Sequence, residues 1–280
     1  MRLTEPGRLH EVLARHGASA TKSLGQHFLR SSKVVDAIVE RVGNPAAVLE
    51  VGPGPGALTE RLVDVSPCVI ALEIDEDMVR VLQETAPSAD VRLVDVLSVD
   101  LGDLLRRMAS PRAVVSNMPY GITGALLSRI GDAFQDLDLA VLMMQKEVAD
   151  RVVAAPGDRI RGSLSVFLQR RFEISPVIKA PAGAFLPPPK VESMVLAFLP
   201  RHNVKLDRGF DRVVRVGFSA PRKTLVNNLA SSLPIDRAKL AEMLESTGLA
   251  PSVRPHQLTL EQWEAVARYT GGDDGRPDQG

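Results

Sequence analysis

Three glycines alternating with prolines, Gly52-Pro53-Gly54-Pro55-Gly56, follow the apolar run Ala46 to Val51 and precede Ala57-Leu58-Thr59. An apolar run that meets such a loop reads as a strand feeding a tight turn and then a helix. With no Cβ at 52, 54 and 56 the backbone can turn sharply, and a ligand can lie against bare amides where the helix begins. That is nucleotide-binding chemistry. Which nucleotide is left open, because Gly52, Gly54 and Ala57 also satisfy a relaxed dinucleotide fingerprint. An acid, Glu73, follows at about the interval of roughly twenty residues at which a ribose-binding carboxylate is expected. The loop alone cannot separate a nicotinamide cofactor from S-adenosylmethionine, and a tight turn with no ligand is the lesser alternative.

A second motif narrows the choice. Asn117-Met118-Pro119-Tyr120 ends another apolar run, Ala113 to Val115, which reads as the fourth strand of the same sheet. The pattern Asn/Asp-Pro-Pro-aromatic, with Asn-Leu-Pro-Tyr as a variant, belongs to enzymes that methylate exocyclic amino groups of bases. Together with Glu50-Val51-Gly52-Pro53-Gly54 and Lys22-Ser-Leu-Gly-Gln-His27-Phe-Leu29, the chain closely resembles the small-subunit rRNA adenine N6-dimethyltransferase family (KsgA/RsmA) from about Lys22 to Tyr269. The resemblance implies a class I, Rossmann-like α/β methyltransferase fold with a small all-helical C-terminal domain. Its cofactor would be S-adenosylmethionine, and its substrate two adjacent adenosines in the terminal hairpin loop near the 3′ end of 16S rRNA in the small (30S) subunit.

The resemblance also assigns roles. The segment Lys22 to Leu29 folds over the cofactor, with His27 and Leu29 touching it; Gly52 and Gly54 line its loop and Asp95 accepts from the adenine amino group. Glu73, at the end of the strand Cys68 to Ile74, can accept both ribose hydroxyls, while Asp75, Glu76 and Asp77 are better explained as cap and first-turn acids of the next helix. Adenine N6 is a poor nucleophile because its lone pair is delocalised. Asn117 Oδ1 and the Met118 carbonyl, held by the rigid Pro119, supply two acceptors for its N–H groups, so catalysis is mainly alignment and electrostatics. Tyr120 stacks on the base and Phe185 closes its other face, the stiff Pro187-Pro188-Pro189 run holding Phe185 in place. The alternative for Asn117 is a helix cap, and for Tyr120 a surface aromatic. Three positions depart from the family pattern: His27 stands where Asn is common, Arg161 precedes Gly162 where Tyr is usual and makes that loop more basic, and Pro221 replaces the first of two arginines before Lys223-Thr224.

The elements that must carry these residues alternate. Strands and helices follow one another from the helix Ser32 to Val42 as far as the strand Leu139 to Met144 and the helix Lys146 to Ala154, which implies a mostly parallel sheet covered on both faces. A short amphipathic helix, Leu9 to His16, precedes them, and a helix Ser163 to Phe172 and strands Ile174 to Lys179 and Val191 to Leu199 complete the first domain. Residues 1–200 are expected to form the catalytic domain, 201–270 a helical RNA-binding domain, and 271–280 a disordered tail. The lone Cys68 reads as a small buried hydrophobe.

Net charge is zero, with 34 basic and 34 acidic side chains, an awkward balance for an RNA-binding protein. The distribution is uneven: Met1 to Asp150 carries 15 basic and 21 acidic groups and the remainder 19 and 13, so a phosphate-binding surface belongs in the second half. Arg208, Arg212 and Arg215 fall at i, i+4 and i+7 opposite Phe210, Val213 and Val214, either a basic stripe for RNA or a solvated face. Arg222 and Lys223 sit at the start of an expected helix Pro221 to Ala230, where positive charge opposes the helix dipole and makes better sense with a phosphate bound. No apolar run approaches a membrane span and no signal peptide is visible, so the protein is expected in the cytoplasm, as a monomer without a metal. Two rivals stand beside the small-subunit reading: the erythromycin-resistance branch, which modifies one adenine of large-subunit 23S rRNA, and a non-catalytic assembly factor that keeps the fold.

Overall fold

The computed structural model describes residues 2–204 and 207–271; the expected tail falls outside them from residue 272 onward. In chain order the elements are α1 (Arg8–Arg15), β1 (Phe28–Leu29), α2 (Ser32–Val42), β2 (Ala47–Val51), α3 (Thr59–Val65), β3 (Val69–Glu73), α4 (Glu76–Thr85), β4 (Asp90–Leu93), α5 (Leu101–Arg106), β5 (Arg112–Asn117), α6 (Thr123–Asp132), β6 (Leu139–Gln145) and α7 (Lys146–Val153). They continue with α8 (Ser163–Arg171), β7 (Phe172–Ala180), β8 (Phe185–Leu186), β9 (Ser193–Pro200), α9 (Arg208–Gly217), α10 (Leu225–Ala230), α11 (Arg237–Ser246) and α12 (Leu260–Gly271).

Among the described residues, seven strands form one sheet in the order β4-β3-β2-β5-β6-β9-β7. The first five run parallel, and β9 is antiparallel to both neighbours. All five residues of β2 and of β3 are buried, as a parallel sheet covered on both faces requires. One core joins α2 and α3 to the sheet through Val34, Val35, Ile38, Leu58 and Leu62, and a second joins α1 to α4 through Leu9, Val12, Leu13, Met78 and Val81. Carboxylates cap the helices that start at strand ends: Asp75 accepts from the Asp77 amide at 3.0 Å and Asp100 from that of Asp103 at 2.9 Å. Cys68 is exposed, not buried, because β3 begins one residue after it.

The chain divides into two compact units, Met1–Ala149 with Phe172–His202, and Asp150–Arg171 with Asn203–Gly280. Asp150–Arg171 groups with the later residues for a packing reason. Val166 of α8 belongs to the core built by Phe210, Val213, Val214, Leu225, Leu240 and Trp263. Arg171, fully buried, forks onto Asp211 at 3.0 and 2.6 Å with its guanidinium 3.8 Å from the Phe167 ring, a geometry that compensates a buried cation. Arg161 does not make its loop a basic surface. It is 2% exposed and donates to the Leu258 carbonyl and to Gln169 Oε1. Nor does a helix start at Pro221: the Lys223 amide closes a turn on the Ala220 carbonyl, Thr224 accepts from Asn227, and α10 begins at Leu225. Arg222 and Lys223 therefore lie exposed in the turn before the helix.

Gly217, in the last turn of α9, tests this second core. Alanine usually favours a helix over glycine by about 1 kcal/mol, but a Cβ here would meet Trp263 Cη2 at 2.5 Å and Leu225 Cδ1 at 3.0 Å. Gly217→Ala is expected to lower stability by about 1–3 kcal/mol in urea unfolding; a stabilised variant would mean that the α9 and α12 packing is not as described.

Candidate active site

A cavity of about 330 Å³ opens beyond the carboxyl ends of β2, β3 and β5, where open α/β sheets place their ligands. Its walls come from Ser23–Leu29, the turn after β2, residues 72–74 and 94–97, and Asn117–Ile122. Gly52, Gly54 and Gly56 have φ of +66°, +55° and +99°, a region that side chains with a Cβ rarely adopt. Space is also short: a Cβ on Gly54 would stand 3.2 Å from the Phe28 ring and one on Gly52 3.4 Å from the Pro119 ring. The turn is fastened by the Gly52 amide on the Leu72 carbonyl at 2.9 Å and by Thr85 Oγ1 on the Pro55 carbonyl at 2.8 Å.

Glu73 closes the cradle. Its Oε2 accepts from the Gly54 amide at 3.0 Å, and its Oε1 from the amides of Ile74 and Asp75 at 2.8 and 2.9 Å. Burial pushes its carboxyl above the usual range, against the pull of these amides. Asp95, following β4, is exposed and accepts from the Leu97 amide at 2.8 Å. Glu50, which composition and spacing did not single out as a site residue, also lines the cavity and is 1% exposed. Burial pushes its carboxyl up to about 8, with Glu73 adding to the shift and the nearby Thr59 hydroxyl opposing it. Neither Glu50 Oε2 nor Thr59 Oγ1 has a hydrogen-bond partner of good geometry. A glutamate inside an apolar strand, Leu49-Glu50-Val51, is the sequence signal that could have found it.

The Asn117 amide is oriented by the chain opposite. Its Nδ2 donates to the His27 carbonyl at 3.0 Å; a carbonyl can only accept, so Oδ1 is turned to the other side and is available to an incoming N–H. His27 Nδ1 is 2.8 Å from the Pro187 carbonyl, which by the same reasoning places the ring proton on Nδ1. The His27 ring lies 5.3 Å from that of Tyr120, tilted by 34°, and the Tyr120 hydroxyl meets Ser193 Oγ at 2.8 Å. His27, Leu29, Gly52, Gly54, Glu73, Asp95, Asn117, Pro119 and Tyr120 all line the one cavity.

Known proteins share this architecture. A family profile described as ribosomal RNA adenine dimethylase matches residues 17–270. The chain belongs to this family. Proteins called ribosomal RNA small subunit methyltransferase A from Bacillus mycoides and Bacillus anthracis are each 35% identical over 280 residues, covering 95% of this chain and 96% of theirs. Among solved structures, a dimethyladenosine transferase from Plasmodium falciparum has a TM-score of 0.71 at 24% identity, over 86% of this chain and 96% of its own. The 23S rRNA methyltransferase ErmE has a TM-score of 0.66 at 26% identity, over 87% and 99%. The dimethylase is thus a Rossmann-like enzyme that uses S-adenosylmethionine to methylate adenine of ribosomal RNA.

The residues of this dimethylase fit that cofactor. The amides of Gly52, Gly54 and Gly56 are taken by the Leu72 carbonyl, Glu73 Oε2 and the Pro53 carbonyl, so the turn offers a ligand uncovered backbone and not free donors, while Glu73 offers an acceptor and the buried Glu50 Oε2 has no partner. Phe185 is not brought to the site. It is 1% exposed in the core with Leu29, Val34 and Val35, because β8 pairs with β1, Phe28 opposite Leu186 and Leu29 opposite Phe185. Arg208, Arg212 and Arg215 are exposed on α9 opposite the buried Phe210, Val213 and Val214.

Removing the Glu73 carboxylate deletes a ligand acceptor and frees three amides. Glu73→Ala is expected to weaken S-adenosylmethionine by about 1.5–3 kcal/mol per lost charge-assisted hydrogen bond, before solvent compensation. Titration calorimetry reads this directly; unchanged affinity would remove Glu73 from the cofactor site.

Proposed function

We propose that the chain dimethylates N6 of two adjacent adenosines in the terminal hairpin loop near the 3′ end of 16S rRNA, acting as a cytoplasmic monomer on the small (30S) subunit. The observation that carries this reading is the orientation of Asn117, whose Oδ1 is left for a donor at the mouth of the cavity. Bound S-adenosylmethionine supplies an electrophilic methyl group on its sulfonium. Asn117 Oδ1 accepts one N–H of the adenine amino group, and the Met118 carbonyl, set by Pro119, accepts the other. Two acceptors favour a pyramidal nitrogen with its lone pair aimed at the methyl, so no general base is required for alignment. Tyr120 offers the base a stacking face, its hydroxyl tethered to Ser193 and its ring steadied by His27. Phe185, buried in the core, offers no ring to the opposite face of the base. An unstacked base recovers a few kcal/mol through such contacts.

Leu29, Gly52, Gly54, Glu73 and Asp95 hold the cofactor: the glycine turn through its backbone, Glu73 at the ribose and Asp95 at the adenine amino group. Phosphates are read by the exposed cations Arg208, Arg212, Arg215, Arg222 and Lys223, which position the rRNA without selecting the base. The 35% identical small-subunit relatives favour the small subunit over the large one.

Two measurements test this. In single-turnover transfer of labelled methyl onto unmethylated small subunits, Asn117→Ala is expected to be slower by about a hundredfold or more, with cofactor affinity largely kept; a rate within a few-fold of the native one would make Asn117 a structural cap. In filter binding across a salt series, affinity should fall with a log–log slope of about −0.7 to −0.9 per phosphate neutralised. Replacing Arg222 and Lys223 together by Ala should flatten that slope by roughly one to two units while the methylated positions stay the same. Equal slopes would leave the turn before α10 as solvated surface.

A further inference from the structure

Residues 21–27 lead from the N-terminal helix into β1, and residues 23–29 form one wall of the cavity. Their ties reach two different strands. Gln26 Nε2 donates to Asp75 Oδ2 at 2.8 Å, just past the end of β3, and the His27 carbonyl accepts from Asn117 at the end of β5. In the sheet β2 lies between β3 and β5, so a segment held at both of their ends passes over the end of β2 and the glycine turn that follows it. It is a strap across the cavity. Gly25, with φ of +64°, doubles the chain back. The Gln26 side chain is used at both ends: Oε1 accepts from the Thr21 amide at 2.8 Å, which leaves Nε2 to face Asp75. Asp75 is a fixed post, because its Oδ1 caps α4 through the Asp77 amide and its own amide donates to Glu73 Oε1. Among the described groups, the Gln26–Asp75 bond is the one hydrogen bond that joins residues 21–26 to another part of the fold.

Each methyl transfer turns S-adenosylmethionine into S-adenosylhomocysteine, which must leave before the next transfer begins. We propose that Gln26 is a positioning residue that latches the strap to Asp75, so that cofactor enters and its product leaves when the latch opens. The groups it joins are already engaged by the chain: both ends of the Gln26 amide and both oxygens of Asp75 are occupied, and Asp75 lies outside the cavity wall. The latch is therefore made by the chain alone and has no part in holding a ligand. A bond of this kind opposes entry and exit alike and cancels in their ratio. A residue that touched the cofactor would behave otherwise, since its loss would speed exit, leave entry alone and weaken affinity. The far end of the strap stays fastened through His27 to Asn117 and to the Pro187 carbonyl, so the latch frees the Asp75 side.

Surface plasmon resonance with S-adenosylhomocysteine over the immobilised protein reads both rate constants. Gln26→Ala is expected to raise association and dissociation alike by about tenfold, the lower end for one hydrogen bond to a charged group, with the dissociation constant unchanged. Gln26→Glu, which keeps an acceptor for Thr21 but turns a second carboxylate toward Asp75, should raise both rates at least as far. Asp75→Ala should reproduce the change, and combining it with Gln26→Ala should add nothing further. Unchanged rates in the Gln26 variants overturn the proposal. So does a faster exit with entry unaltered, which would make Gln26 a cofactor contact, and so does an additive double variant. Gln26→Glu exchanges a single atom at a half-buried side chain and so decides the matter even where Gln26→Ala does not fold. Absence of any S-adenosylhomocysteine binding by the native protein would instead overturn the cofactor site on which the proposal rests.

Discussion

The site depends on one carboxylate holding three amides. Glu73 ends β3, and by accepting from Gly54 on one oxygen and from Ile74 and Asp75 on the other it ties the turn after β2 to the turn after β3. Together with the Gly52 amide on Leu72 and Thr85 Oγ1 on Pro55, that tie holds three left-handed glycines in one conformation, against the large backbone freedom that glycine gives up on ordering. The carboxylate is buried, which costs solvation, and the amides offset part of that cost. A ligand with hydroxyls or a positive charge offsets more. The turn is held by the chain's own hydrogen bonds.

His27 does for the acceptor side what Glu73 does for the cofactor side. Its backbone carbonyl turns the Asn117 amide, its Nδ1–H reaches the Pro187 carbonyl, and its ring supports Tyr120. Three segments far apart in sequence, around residues 27, 117 and 187, are held together through one residue. Asparagine, common at this position in the family the chain resembles, could supply the same carbonyl and a donor, but not a ring against Tyr120. Second-layer bonds of this kind keep reacting groups within a fraction of an ångström of their working position.

Much of this was legible in the chain, and the failures share a cause. The parallel strands, the glycine turn and the Asn117 to Tyr120 motif announce themselves through local composition, because each is built from neighbours in sequence. Phe185 was expected to close one face of the base, held there by the stiff proline run; its pairing with β1, nearly 160 residues earlier, has no local signal. Arg161 was expected to make its loop more basic, its contact left unassigned, because its acceptor, the Leu258 carbonyl, lies 97 residues away. Cys68 was expected inside because apolar neighbours flank it, although the strand starts one residue later. Glu50 was passed over inside a familiar motif. Its significance is the absence of a partner, which only three-dimensional packing shows.

The central claim is directional: the ligand lies across the strand ends with its nucleoside toward β3 and β4 and its sulfur toward β5. A crystal structure of the protein with S-adenosylhomocysteine tests this most directly. The ribose hydroxyls are expected within hydrogen-bond distance of Glu73 and the sulfur on the Asn117 side of the glycine turn. A ligand running the other way, with its ribose beyond β5 and its amino acid over β4, would contradict it.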